Sequence, residues 1–277
     1  MFDCHCDLLT YIYVNRNNIS KIKKVCNSIY NKDNINGAIF NLFYMSKQEM
    51  KEELDINEEE INVINMLKIV DCIIKENNIF SRDIKYIYGI EGLDYLKNIS
   101  DVDILYNLGV RSVNIVWNNE NKFGGGTRAE ENCGLTNLGE ELVEKLVKLN
   151  IAIDLSHANE KTFYDIIEKI KQLKRKGDIP KIFASHSNLK SIYDVKRNLI
   201  DDQIVKIKEL DGIIGIVEYK DFVADNNNYE EYYEKHINYL KELLGGVDNI
   251  VVSTDDEIYY NKNIENKNIY NSENVRL

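Results

Sequence analysis

Eight short apolar runs, most of them separated by longer stretches of helical period, constrain this chain more than any other feature. They are Phe2–Cys4, Gly37–Tyr44, Lys85–Ile90, Arg111–Trp117, Ile151–Leu155, Lys181–Ser185, Gly212–Val217 and Ile250–Ser253. Each is nearly continuous in hydrophobicity and rich in β-branched residues, as strands buried on both faces are. Between them, Asn57 is placed to cap a helix with Glu58, Glu59 and Glu60 in its first turn and an apolar stripe at Ile61, Ile64, Leu67, Val70 and Ile74. Thr136 is placed to cap Glu140–Leu149, Asn159 to cap Lys161–Leu173, and Asp201 to cap Asp202–Leu210; Tyr229–Leu244 is a further helix. Ser46–Asp55 reads as an acidic, solvated helix or loop face. Strands alternating with helices argue for parallel β/α units, and eight units for a closed (β/α)8 barrel of the TIM type. No linker or composition break interrupts residues 1–277, so a single domain is expected.

The net charge of −11, without a Lys/Arg cluster, argues against nucleic acid and anionic membrane as partners. No basic, apolar leader opens the chain, and no stretch reaches the roughly 18 apolar residues of a membrane span. Five Cys in a chain of this length read as reduced thiols, which points to the cytoplasm.

His5 and Asp7 stand two apart at the end of the first run. Residues two apart on a strand share a side, so an imidazole and a carboxylate project together. Glu91 ends the third run, His157 the fifth, His186 the sixth and Asp255 the eighth. In a barrel, all strand C-termini open on one face, where active sites are built. Six acidic or imidazole groups should therefore meet at one mouth. Donors of this kind, without thiolates, suit Zn²⁺, Mn²⁺, Co²⁺ or Fe²⁺. Six exceed the needs of one zinc, so two metals sharing a bridging carboxylate fit better. Cys4 and Cys6 should point away from His5, into the opposite layer, as core packing. His236, inside the helix Tyr229–Leu244, reads as a surface or packing residue.

The blocks D-C-H-C-D-L, G-I-E-G-L, G-V-R-S-V-N-I-V-W-N, G-L-T-N-L-G-E-E-L-V, I-D-L-S-H and A-S-H-S-N-L-K-S-I-Y-D-V-K-R-N-L-I-D-D-Q-I occur in an order and spacing that resemble the membrane dipeptidase (renal dipeptidase) family of dizinc peptidases. The resemblance implies a (β/α)8 barrel holding two zinc ions. It implies that His5 and Asp7 bind one zinc, His157 and His186 the other, and that Glu91 bridges both. By the same resemblance, Asp255 is the proton-transfer carboxylate and Arg197 holds the substrate's terminal carboxylate. Mammalian members carry a substrate-contacting His where this chain has Trp117; bacterial relatives carry W-N there, which leaves Asn118 as the donor near the scissile bond. Family members continue past the Asp255 motif with a longer helix, whereas only residues 256–277 follow here, so the last barrel helix is expected to be shortened or missing. A homodimer is common in the family.

What the resemblance implies is hydrolysis of a small dipeptide by a metal-activated water. The alternatives are another metal-dependent amidohydrolase, acting on a lactone or N-acyl amino acid, and a non-catalytic metal-binding descendant.

Overall fold

The computed structural model describes residues 2–32, 35–178, 180–224 and 228–255. Eight parallel strands close into a barrel in sequence order: β1 (Phe2–Cys6), β2 (Gly37–Phe43), β3 (Lys85–Glu91), β4 (Val110–Asn114), β5 (Ala152–Asp154), β6 (Ile182–Ala184), β7 (Ile213–Val217) and β8 (Ile250–Ser253). Pairing of Asp3 with Val252 joins β1 to β8 and completes the closure. The helices are α1 (Leu8–Val14), α2 (Ile19–Lys32), α3 (Lys47–Leu54), α4 (Val63–Asn77), α5 (Asp101–Asn107), α6 (Asn137–Lys148), α7 (Glu160–Arg175), α8 (Asp201–Glu209), α9 (Lys220–Val223) and α10 (Tyr229–Leu244). The expected (β/α)8 barrel is therefore the fold. The segment on which a shortened last helix was expected, residues 256–277, lies outside the described residues.

Local chemistry explains the helix starts. Thr136 and Asn159 accept from the backbone N–H of Gly139 and Thr162 and so cap α6 and α7. Leu142, Val143 and Leu146 on α6, and Phe163, Ile166 and Ile170 on α7, are at most 1% exposed. Each such side chain contributes about 1.5–3 kcal/mol by leaving water. Two starts differ from the expectation. Asn57 caps only a 3-10 turn over Glu58–Glu60, and Asn62, whose side chain accepts from Asn65 N–H, caps α4. Asp201 is the first residue of α8 and caps nothing; its carboxylate accepts from Ser191 Oγ and Tyr239 Oη at 2.7 Å each. The acidic stretch Ser46–Asp55 forms α3 behind a Ser46–Glu49 capping box, and buries Met50 and Leu54 beneath its charged face.

Strand β1 does not keep simple alternation. The four residues Asp3–Cys6 oppose the three residues Ala38–Phe40, a bulge that reverses the facing of everything after it. Cys4 consequently packs with Ile39, Phe183 and Val251. Cys6 joins the larger core on the helix side, where Tyr30 Oη donates to its Sγ at 3.1 Å. Both cysteines are core residues as expected, but they face opposite layers rather than one.

Candidate metal centre

Because every strand runs the same way, the strand C-termini share one end of the barrel, and this end gathers the candidate ligands. His5 precedes the last residue of β1, and Asp7 is the capping position of α1. Glu91 closes β3; His157, His186 and Asp255 follow β5, β6 and β8 within three residues. His5 Nε2 lies 3.6 Å from Asp7 Oδ1, 3.8 Å from Glu91 Oε2 and 3.9 Å from Asp255 Oδ1. Glu91 Oε1 lies 2.6 Å from His157 Nε2 and 3.4 Å from His186 Nε2, and the two Nε2 atoms are 2.9 Å apart. The six groups thus form two adjoining clusters that meet at Glu91. Two sets among them, His5–Glu91–His186 and His5–Asp7–Asp255, each bring their donor atoms within 4.8 Å of one another and could hold a metal ion.

Glycine makes this crowding attainable at two places. Gly92 has φ +87, and a side chain there would meet the Tyr44 carbonyl at 2.6 Å, so the chain can turn sharply just after Glu91. Gly89 leaves room for the Asn41 side chain to cross the barrel, where its Nδ2 lies 3.1 Å from His5 Nδ1. Asp255 itself sits at φ +42, a conformation costly to most side chains and best tolerated by Asp and Asn, and its N–H donates to the His5 carbonyl at 3.0 Å.

A layer of polar groups behind the ligands fixes their tautomers. His157 Nδ1 donates to Asn118 Oδ1 at 3.0 Å, which leaves its Nε2 as a lone pair. Ser185 Oγ gives its only proton to Asp154 Oδ2 and so accepts from His186 Nδ1 at 2.5 Å, again leaving Nε2 bare. Asp154 Oδ1 accepts from the N–H groups of Ser156 and Ser185 at 3.0 Å each and from Ser156 Oγ at 2.7 Å. Two imidazole lone pairs and a carboxylate oxygen therefore face one another at contact distance. Glu91 Oε1 and His5 Nε2 are buried and find no hydrogen-bond partner among the described residues. Such a set suits a cation.

The electrostatics agree. Burial pushes Asp255 up to about 7, Asp7 and Glu91 also upward, with His5 opposing in each case. Burial by itself would neutralise His5, but the carboxylates of Glu91, Asp7 and Asp255 outweigh it and raise the imidazole to about 10. Burial, helped by the charges of Arg197 and His5, holds His157 and His186 well below the usual range. The carboxylates of Asp7, Glu91 and Asp255 face the Arg197 guanidinium and a protonated His5, and positive charge is still in deficit. Divalent cations would supply it, keeping the carboxylates ionised and the imidazoles neutral.

A cavity of about 410 Å³ opens over the cluster, and Arg197, Trp117, Tyr219 and Phe222 line it with Asp7, Glu91, His157, His186 and Asp255. Arg197 reaches the cluster: its Nη2 donates to His157 Nε2 at 3.2 Å and to the His186 carbonyl at 3.4 Å. The Trp117 ring lies nearly parallel to His157, centroids 6.0 Å apart, as an apolar wall. Asn118 is not among the residues that line this cavity; its Oδ1 accepts from His157 Nδ1 behind the ring. The sequence reading did not single out Asn41, Asp154, Ser156 or Ser185. A lone Asn in the run G-A-I-F-N-L-F, and an Asp ending A-I-D, are the only signals that could have found the first two.

A model of the membrane dipeptidase family, peptidase family M19, matches residues 1–264. The chain belongs to that family. An uncharacterized dipeptidase of Schizosaccharomyces pombe is 27% identical over 172 residues, 60% of this chain and 40% of its own length. An uncharacterized protein of Acinetobacter calcoaceticus is 31% identical over 134 residues, 46% of this chain and 40% of its own. The chain thus aligns with about two fifths of the length of these relatives. Among solved structures, a metallo peptidase from Rhodobacter sphaeroides, liganded with a phosphinate mimic of the dipeptide L-Ala-D-Ala, superposes with a TM-score of 0.70 at 21% identity over 92% of this chain and 85% of that one. An amidohydrolase from Pseudomonas aeruginosa gives 0.65 at 19% identity over 92% and 72%. At these identities the superpositions speak for the fold. Among the described residues no helix is long and apolar enough to cross a membrane, whatever the family's name suggests.

Proposed function

We propose that this chain is a dinuclear zinc dipeptidase. The observation that carries the reading is the convergence at the barrel mouth of the His157 Nε2 and His186 Nε2 lone pairs, Glu91 Oε1 and the His5 imidazole, with Arg197 as the donor that reaches His157. His5 and Asp7 would hold one ion, His157 and His186 the other, and Glu91 would bridge; the imidazole and carboxylate donors suit zinc or a similar divalent metal. When bound, the pair would supply Lewis acidity, lowering the pKa of a water toward about 7 and polarising the scissile carbonyl.

The chain's own groups do the rest. Asp255, raised toward neutrality and beside His5 and Asp7, takes the water's proton and delivers it to the leaving amine. Arg197 presents a planar fork to the dipeptide's terminal carboxylate, and so measures substrate length. Trp117 and Phe222 exclude water and hold the apolar part of the substrate. Family membership, relatives described as dipeptidases and the dipeptide mimic in the Rhodobacter enzyme support this reading. The five free thiols fit a reducing cytoplasm.

The test is a substrate panel for the zinc-loaded protein: free dipeptides, tripeptides, C-terminally amidated dipeptides, an N-acyl amino acid and a lactone. Free dipeptides should be preferred over their amides by at least about 30-fold in kcat/KM, the lower end of a 2–5 kcal/mol cost for a buried, unpartnered charge. Preference for the lactone or N-acyl amino acid would place the chain among general amidohydrolases, and no turnover of any would favour a non-catalytic descendant.

A further inference from the structure

Of the chain's four histidines, His236 alone is absent from the metal cluster. It lies on the inner face of α10 with Tyr233, Leu240 and Leu244 and is 0% exposed, so the packing alternative holds and the surface one does not. A Leu would fill that place as well if packing were all. Both ring nitrogens, however, are used, and on different loops. Nδ1 accepts from Leu189 N–H at 3.2 Å, and Nε2 donates to the Val223 carbonyl at 3.1 Å.

Leu189 belongs to the loop between β6 and α8, Val223 to the end of α9 after β7. Those two segments carry the two halves of one substructure. The first loop is closed on itself at its base, Lys190 N–H to the Leu199 carbonyl at 2.8 Å and Leu199 N–H to the Asn188 carbonyl at 2.9 Å, with Arg197 two residues inside the closure. The second segment holds Phe222, whose ring lies 5.0 Å from the Arg197 guanidinium carbon. Asn198 Nδ2 ties the two together through the Phe222 carbonyl at 2.8 Å. Arg197 is therefore held by neighbours on both segments, and His236 is the buried strut behind them.

We infer that His236 is a positioning residue for Arg197, its imidazole setting the spacing between the two loops so that the guanidinium projects into the metal-lined cavity. This rests on reading Arg197 as the clamp for the substrate's carboxylate. His236 touches neither ligands nor substrate, so its effect should fall on recognition of that carboxylate and not on the chemistry.

The test compares wild type, His236→Phe and His236→Gln in the zinc-loaded protein, with L-Ala-D-Ala and its C-terminal amide as substrates. Phe keeps bulk and loses both hydrogen bonds; Gln can accept and donate as the imidazole does. His236→Phe should raise KM for the free dipeptide 10-fold or more, leave kcat within about threefold, leave kcat/KM for the amide unchanged, and keep the zinc content. Gln should recover most of the lost affinity. If His236→Phe fails to fold, Asn198→Ala, which removes the tie to Phe222, should give the same split between KM and kcat. Equal losses for free dipeptide and amide, an unchanged KM, or Gln no better than Phe would overturn the inference. A wild type indifferent to the carboxylate defeats the Arg197 reading and His236's role with it; a wild type with the preference and a His236→Phe that retains it defeats His236 alone.

Discussion

Ser185 is the residue whose loss should report most clearly on the architecture behind the metals. Its side chain is fully buried. Its Oγ donates to Asp154, accepts from His186 Nδ1 at 2.5 Å and lies 3.3 Å from His5 Nδ1. Ser185→Ala deletes that one atom and leaves the backbone alone. Asp154 Oδ2 then loses its donor, a buried charge-assisted hydrogen bond worth about 1.5–3 kcal/mol. His186 loses the partner that fixes its tautomer, and losses of that kind typically cost 10–100-fold in metal affinity, or about 1.4–2.8 kcal/mol at 1.4 kcal/mol per decade. The first loss falls on the stability of the metal-free fold and the second on metal affinity. Zinc Kd, measured by competition with a chromophoric chelator, should therefore rise 10–100-fold, and Tm of the metal-free protein should fall by roughly 3–10 °C. Ser187→Ala is the control, because Ser187 Oγ is buried but has no hydrogen-bond partner among the described residues; its zinc affinity should stay within about twofold of wild type. Wild-type zinc affinity in Ser185→Ala, or an equal loss in Ser187→Ala, would refute the reasoning.

Three other perturbations separate roles. Glu91→Gln cannot compensate two cations, and should lose at least one metal and nearly all dipeptide hydrolysis; two bound metals with near-normal turnover would remove the bridging role. Asp255→Asn keeps a residue that tolerates φ +42, so it should retain most of the metal while kcat falls 10²-fold or more; complete metal loss would make Asp255 a primary ligand. Burial, only partly offset by the bond to Val223, lowers His236 from 6.5 to about 4. The unfolded chain therefore binds this proton more tightly than the folded one, and the neutral ring's stabilisation is present above pH 6.5 and lost as pH falls toward 4. The stability advantage of wild type over His236→Phe, read from urea unfolding, should shrink by about 3 kcal/mol over that window; a pH-independent difference would contradict the buried neutral imidazole.

The barrel was legible because its strands are buried on both faces and read as apolar runs with little ambiguity of period. The meeting of the candidate site residues at one mouth was legible for a related reason: His5, Glu91, His157, His186 and Asp255 each interrupt hydrophobicity where a strand stops. The supporting layer was not. Asp154 and Asn41 are single polar residues inside strands, and nothing local says that one crosses to Ser185 and the other to His5. Alternation misled at β1, because a bulge has no composition signature there and only the register reveals it. Asn57 and Asn62 are equally good caps by residue type, and the choice between them is made by where Val63 and Met66 find the core. Arg197 came from family resemblance alone; its place in the cavity depends on Phe222, Asn198 and His236, which converge only in three dimensions.

Zinc stoichiometry measured together with turnover tests the central claim most directly. Protein stripped with chelator and titrated with zinc should bind two ions per chain, regain its melting temperature by mass action, and recover hydrolysis of L-Ala-D-Ala as the sites fill. Saturation at two zinc with dipeptide turnover is the result expected of the clustered lone pairs at the barrel mouth. A protein that takes up no zinc, melts identically with and without it, and leaves dipeptides intact would contradict the account.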